Sequence, residues 1–293
     1  MKEQLVGRVV EQQLLESYLQ SSRSEFIAVY GRRRVGKTFL IRQVIGNNAS
    51  FSISGMENVS TNDQLLNFKI ALNRYGAINQ ECTNWLEAFD LLITYLESLP
   101  DGNKIVFIDE MPWMDTPSSR FVSSLEHFWN DWASARNDIK LIVCGSATSW
   151  MMDNLINNHG GLHNRVTHQL LLEPFTLGEC REYFTRYGFG YSEREIVDCY
   201  MVLGGIPYYF SLMNSSDSVA QNIDRLFFSP TGELRYEMTN LFRSLFRHSD
   251  AYVTIIEALS KKSKGLTRSE LLEVTKLNNN ARFTKMLDEL EYC

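Results

Sequence analysis

The chain has 293 residues, a length that fits about two domains, and its 44% hydrophobic and 22% charged shares exclude collagen-like, low-complexity and disordered classes. Twenty-nine Lys plus Arg against thirty-five Asp plus Glu leave a net charge of −6, so no global positive field draws it to nucleic acid or anionic lipid. Five scattered cysteines (Cys82, Cys144, Cys180, Cys199, Cys293), odd in number and without metal-ligand spacing, argue against a disulfide framework and for a reducing compartment. The start MKEQLVGRVVEQQ has no apolar signal core, and no run approaches roughly eighteen apolar residues, so a cytosolic, unanchored protein is expected.

In chain order, FIAVY (26–30) is a continuous apolar run that suits a buried parallel strand, and KTFLIRQVI follows it with helical spacing. A β-like stretch at 49–54 precedes helix candidates at about 61–75 and 85–99, and Pro100-Asp101-Gly102 breaks the chain. The run KIVFID (104–109), a helix candidate at 118–135 and the run KLIVCGS (140–146) continue the alternation, which implies right-handed crossovers and a parallel sheet covered on both faces. Beyond about residue 175 only helical patterns occur. The last three lie at 250–293, where Thr267 and Glu270 form a capping box, and together they read as a helix-turn-helix unit. No hairpin follows the third helix, so truncation of the gene product with loss of a wing is expected.

GRRRVGKT (31–38) fits G-x-x-x-x-G-K-[ST] between a strand and a helix, the context that turns backbone N–H groups around phosphate oxygens at a helix N-terminus. Lys37 then reaches β and γ phosphates and Thr38 ligates Mg²⁺. The nucleotide-contact candidates in this loop are Gly31, Arg34, Val35, Gly36, Lys37, Thr38 and Phe39. The side chains of Arg32, Arg33 and Arg34 can be phosphate ligands, although salt-bridged or partner-facing positions are the favoured reading.

IVFIDE (105–110) ends a buried strand in two carboxylates, at the strand end where open α/β sheets bind ligands. Asp109 is the candidate to hold Mg²⁺ and Glu110 the candidate to take a proton from an attacking water; plain surface acids are the alternative. Ser146, at the tip of the next strand, either orients that water or touches the γ-phosphate, or is an ordinary turn serine. The five histidines have no i,i+4 pairing and read as surface or packed residues. Trp113, Phe128, Trp129 and Trp132 are expected to pack the helix after the acidic strand against the sheet.

The order GRxxE (Gly7, Arg8, Glu11), GRRRVGKT, FIDE, CGSATSWM, GGLHNR (160–165), LEPF (172–175) and LGGIPYYF (203–210) resembles the archaeal-type P-loop ATPases of the STAND group, relatives of AAA+ proteins that are also widespread in bacteria. The resemblance implies that Gly7 and Arg8 lie against the base or ribose and that Pro207 belongs to a small helical lid and packs on adenine. It likewise implies that Arg165 senses the γ-phosphate, with Asn164 standing where relatives carry glycine. Adenine is preferred to guanine by this resemblance, and the chain has no evident N-K-x-D motif. From its residues alone, GGIP is a helix stop followed by a rigid turn.

The expected architecture is therefore an α/β P-loop NTPase domain (1–174) with helices on both faces of a parallel sheet, a helical lid (175–249) and an incomplete winged-helix-like domain (250–293). The expected activity is slow, Mg²⁺-dependent ATP hydrolysis driving a conformational switch, with ATP and ADP as ligands, a protein effector and self-association as candidate partnerships, and no membrane. A small-molecule kinase fits less well, because Glu110 beside Asp109 supplies a base for water. The alternative is a DNA-associated ATPase or regulator. Residues 250–293 weaken it, since seven Lys plus Arg there balance seven Asp plus Glu.

Overall fold

Three apolar runs set the centre of the sheet. β1 (Glu25–Tyr30), β3 (Lys104–Asp109) and β4 (Ile139–Gly145) are buried along their whole length, as parallel strands covered on both faces must be. The computed structural model describes residues 5–77, 80–157, 162, 164–246 and 249–291. Within them the chain divides into two compact units, 1–183 and 184–293.

In the first unit α1 (Val9–Leu19) precedes β1, and α2 (Lys37–Ile45), β2 (Ala49–Ser54), α3 (Thr61–Arg74) and α4 (Trp85–Ser98) lead to β3. Then come α5 (Phe121–His127), β4, α6 (Thr148–Met151) and β5 (His168–Leu171), and α7 (Leu177–Arg186) runs across the boundary between the units. The five strands are ordered β2-β3-β4-β1-β5, and every pairing is parallel. β4 is thus interposed between the strand that feeds the glycine loop and the strand that ends in Asp109. Tyr30 pairs with Gly145, and Ser54 with Asp109.

One helical layer is fastened by aromatic side chains. Phe51, Phe68, Trp85, Phe89, Phe121 and Phe128 pack as a continuous chain of ring contacts between β2, α3, α4 and α5, and such rings bury more apolar area than any aliphatic side chain. The helix expected at 118–135 is in fact three pieces: α5, a π turn at Phe128–Trp132 and a 3₁₀ turn at Ala133–Ala135. The wide π turn lets Phe128 and Trp129, adjacent in sequence, both be buried, against Phe89 and Phe26 respectively. Trp113 is not on this helix. It lies on a 3₁₀ turn at Met111–Trp113, with the Arg33 guanidinium 5.9 Å from its ring centre.

The N-terminal ends of the strands carry an ionic layer. Glu25 accepts from Ser21 Oγ at 2.6 Å and Arg23 Nε at 2.9 Å and lies 3.2 Å from His168 Nε2, whose ring stacks on Tyr18. Lys140, fully buried, donates to the carbonyls of Ser21 and Arg23. Asp138 receives Lys104 at 2.7 Å and Arg136 at 2.8 and 2.9 Å, which holds its carboxyl well below the usual range.

The second unit is helical among its described residues: α8 (Glu193–Leu203), α9 (Pro207–Ser211), α10 (Val219–Ile223), α11 (Glu237–Leu245), α12 (Ser249–Ser260), α13 (Arg268–Thr275) and α14 (Ala281–Glu291). The GGIP turn is as read: Gly204 caps α8 in the left-handed region and Pro207 opens α9. Thr267 and Glu270 form the expected capping box of α13. Phe283 and Met286 of α14 are buried with Tyr252, Ile255 and Leu271, and Leu287 and Leu290 pack beside them. No helix of the described residues is long and apolar enough to cross a membrane.

The ionic layer gives stability a defined pH dependence. Burial alone would raise the Glu25 carboxyl, but hydrogen bonds from Ser21, Thr167 and Arg23, with His168 nearby, bring it from 4.5 down to about 2. A carboxylate favoured by the folded state adds stability above its unfolded pKa and loses it as pH falls through the folded value. Unfolding stability should therefore fall between pH 4.5 and about 2 more steeply in wild type than in Glu25→Gln, as read by urea denaturation at stepped pH.

Candidate functional site

The candidate chemistry gathers where β1, β3 and β4 end and α2 begins. Arg34 (φ 69°) and Gly36 (φ 94°) both take left-handed backbone, so the loop from Gly31 curls tightly onto the first turn of α2. Glycine at 36 meets this at no steric cost. Lys37, the first residue of α2, is 5% exposed and donates from Nζ to the carbonyls of Gly31 and Arg32, each at 2.8 Å. Burial pulls its ammonium below the usual lysine value, opposed by Cys144, Glu110 and Asp109. An anion in the loop would favour the charged form of this desolvated cation.

Thr38 Oγ1 lies 3.0 Å from both carboxylate oxygens of Asp109, and Ser54 Oγ donates to Oδ2 at 3.3 Å. Hydroxyl and carboxylate oxygens are the donors a hard divalent cation takes. No group of three or more His, Cys, Asp and Glu is gathered among the described residues.

Glu110 leaves β3 in the left-handed region (φ 46°, ψ 47°), which ends the strand and turns the chain into Met111–Trp113. The unfavourable backbone is offset at its side chain: Oε2 accepts from Ser146 N at 3.1 Å and from Ser146 Oγ at 2.9 Å. Because β4 lies between β1 and β3, Ser146 stands at the tip of the strand separating the glycine loop from the acids. Cys144, two residues before it, is completely buried, and burial raises its thiol well above the ordinary value.

Of the residues predicted from sequence, Lys37, Thr38, Asp109, Glu110 and Ser146 come together here. Val35 is buried and Phe39 half-buried in the loop and α2. Arg33 lies 3.9 Å from Glu57. Arg165 is exposed in the turn before β5, outside this hydrogen-bonded cluster among the described residues, and Asn164 beside it is left-handed at φ 56°. Gly160, Gly161 and His163 of the GGLHNR motif lie outside the described residues. Pro207 is in the second unit. Gly7 and Arg8 form the N-terminal cap of α1, and the Arg8 guanidinium is held by protein groups: Nη2 reaches the carbonyls of Glu173 at 2.6 Å and Val35 at 3.4 Å, and it lies over Phe175. Sequence reasoning missed Ser54 and Cys144. Their signal is the strand order, since only β2 beside β3 brings Ser54 to Asp109.

Residues 5–213 match the model of a family of ATPase domains found predominantly in Archaea. The chain belongs to this family. The protein MJECL04 of Methanocaldococcus jannaschii is 28% identical over 258 residues, covering 87% of this chain and 54% of that protein, so the chain spans about half the length of that curated relative. Among solved structures, the Walker-type ATPase PABY2304 of Pyrococcus abyssi is similar over 99% of this chain and 90% of its own, with a TM-score of 0.72 and 21% identity. The ORC2 protein of Aeropyrum pernix, solved in ADPNP and ADP complexes, is similar over 100% and 88%, with a TM-score of 0.55 and 13% identity. At these identities both likenesses speak to the fold, and they agree with the family in a P-loop ATPase α/β architecture.

Gly145 shows how tightly the end of β4 is packed. A Cβ there would lie 2.8 Å from both Pro112 Cδ and Met151 Sδ, so an alanine must displace the turn after Glu110 or the first turn after Ser146. Gly145→Ala should cost about 1–3 kcal/mol, the usual range for overpacking, measurable by chemical denaturation.

Proposed function

We propose that this chain binds ATP with Mg²⁺ and hydrolyses it slowly, and that the nucleotide state sets its conformation. The observation that carries the reading is the buried Lys37 ammonium in the mouth of the loop, beside the paired Thr38 and Asp109. Bound Mg²⁺ would polarise phosphoryl oxygens as a Lewis acid, and Thr38 and Asp109, with Ser54 behind the carboxylate, are the residues that would hold it. Lys37 places a desolvated positive charge against the β and γ phosphates. The N–H groups at the start of α2 add donors aimed the same way.

Glu110 is the base. Both of its bonds from Ser146 go to Oε2, which leaves Oε1 to accept the proton of a water attacking the γ-phosphate. Ser146 is then a residue that orients Glu110. Arg165, exposed on its turn, is accessible to a γ-phosphate or to a neighbouring subunit. We assign residues 175–249 to a helical lid, with Pro207 meeting adenine, and residues 250–293 to an incomplete winged-helix-like module. Gly204-Gly205 followed by Pro207, two left-handed glycines before a fixed-φ residue, supports a hinge there.

A protein effector is favoured over DNA as the recipient of the switch. Arg282 and Lys285 are exposed on α14, but Lys285 lies 3.9 Å from Glu289, and the 250–293 segment as a whole is neutral.

Two substitutions separate binding from chemistry. Lys37→Ala should abolish ATP·Mg²⁺ binding in isothermal titration, and an unchanged affinity would remove the phosphate-loop assignment. Glu110→Gln should bind ATP as wild type does and hydrolyse it about 10²–10⁴-fold more slowly, the loss typical of a removed general base. Hydrolysis by Glu110→Gln at the wild-type rate would place the base elsewhere.

A further inference from the structure

Arg8 is buried to 4% exposure and sits in the left-handed region (φ 58°), directly after Gly7 at φ 60°. Such backbone is unfavourable for arginine, so its surroundings must hold it. They do so from three directions. Its backbone N–H donates to Glu179 Oε1 at 3.0 Å; Glu179 Oε2 meanwhile accepts from Thr176 N at 2.8 Å and Thr176 Oγ1 at 3.0 Å, at the start of α7. Its guanidinium faces Phe175 at 4.8 Å, lies 3.5 Å from Glu11, and bonds Glu173 O at 2.6 Å. The same Nη2 reaches Val35 O at 3.4 Å, inside the glycine loop.

That last contact links Arg8 to the phosphate site through covalent geometry. The carbonyl of Val35 and the N–H of Gly36 are opposite ends of one planar peptide unit, so a cation that holds the oxygen fixes the direction of the N–H. Gly36 is the N-cap of α2, immediately before Lys37, so under the ATP-binding reading its N–H is among those at the helix N-terminus that would face the phosphates. We infer that Arg8 is a positioning residue for phosphate, acting through the Val35–Gly36 peptide and tying the loop to Glu173 and to the start of α7, rather than a residue whose side chain reads base or ribose. The inference rests on the ATP-binding reading above and deepens it.

Ligands that carry different parts of the nucleotide test it. Competition against a fluorescent ATP analogue gives affinities of ADP, inorganic pyrophosphate and adenosine for wild type, Arg8→Met and Arg8→Lys. Methionine keeps an apolar stem against Phe175 and removes the donors; lysine keeps the charge and loses the fork. Arg8→Met should lose about tenfold for ADP and for pyrophosphate, the order expected for a charge-assisted contact, and less than about twofold for adenosine. Arg8→Lys should show the same pattern with a smaller loss. A merely structural role would weaken all three ligands alike. Equal losses, a loss confined to adenosine, or no loss in either variant overturns the inference. Should Arg8→Met fail to fold, the split between pyrophosphate and adenosine in Arg8→Lys decides. A wild-type protein that binds none of the ligands overturns the ATP reading as well, whereas wild-type binding without the split in the variants overturns only the role of Arg8.

Discussion

A lysine ammonium removed from water is the constraint around which the first unit is arranged. Lys37 must be at the first position of α2 to face the loop, and at 5% exposure it has little solvent to stabilise its charge. Two loop carbonyls at 2.8 Å supply neutral acceptors, and the acids of β3 supply opposite charge. The field this creates is local. A chain of net charge −6 can still present a concentrated positive site to a polyphosphate, because the cation is desolvated and the helix N-terminus points the same way.

The interposition of β4 decides how that charge can be used. Were β1 and β3 adjacent, Asp109 and Glu110 would both crowd the loop. With β4 between them, Thr38 and Asp109 still meet at 3.0 Å, while Glu110 is drawn by Ser146 to the tip of the middle strand. Two consecutive carboxylates thereby acquire different partners, one a threonine hydroxyl and the other a serine hydroxyl with its backbone N–H. The left-handed φ of Glu110 makes this divergence larger than the alternation of a strand would give, and the fit of Gly145 against Pro112 leaves the turn little room to relax.

The parts of this arrangement that were legible in the sequence are those encoded by contiguous residues. Buried strands showed as apolar runs, the glycine loop as fixed spacing, and Asp109 and Glu110 as charges ending such a run. α1 was not legible, because Val9 and Val10 are exposed while Leu15 is buried, so its apolar residues do not describe one stripe. The pieces at 121–135 were read as one helix because a π turn keeps helical apolar spacing while changing the pitch. Ser54 and the contacts of Arg8 were invisible for another reason. They depend on which strands are neighbours and on segments about 165 and 171 residues apart, between Arg8 and Glu173 or Glu179, and no local pattern encodes that.

The two ends of the sheet hold their charged groups in different ways. At the N-terminal ends, ionisable groups are bonded to one another or to backbone: Glu25 with Arg23 and His168, Asp138 with Lys104 and Arg136, and Lys140 with two carbonyls. At the C-terminal ends sit two residues in costly backbone, Arg34 and Glu110, together with a desolvated lysine. Strain of this kind persists only where the surrounding structure over-determines it. The three central strands, buried along their length and joined in continuous parallel register, supply that determination. Anchoring the sheet at one edge is therefore what allows the other edge to hold groups in arrangements that an anion and a divalent cation would stabilise.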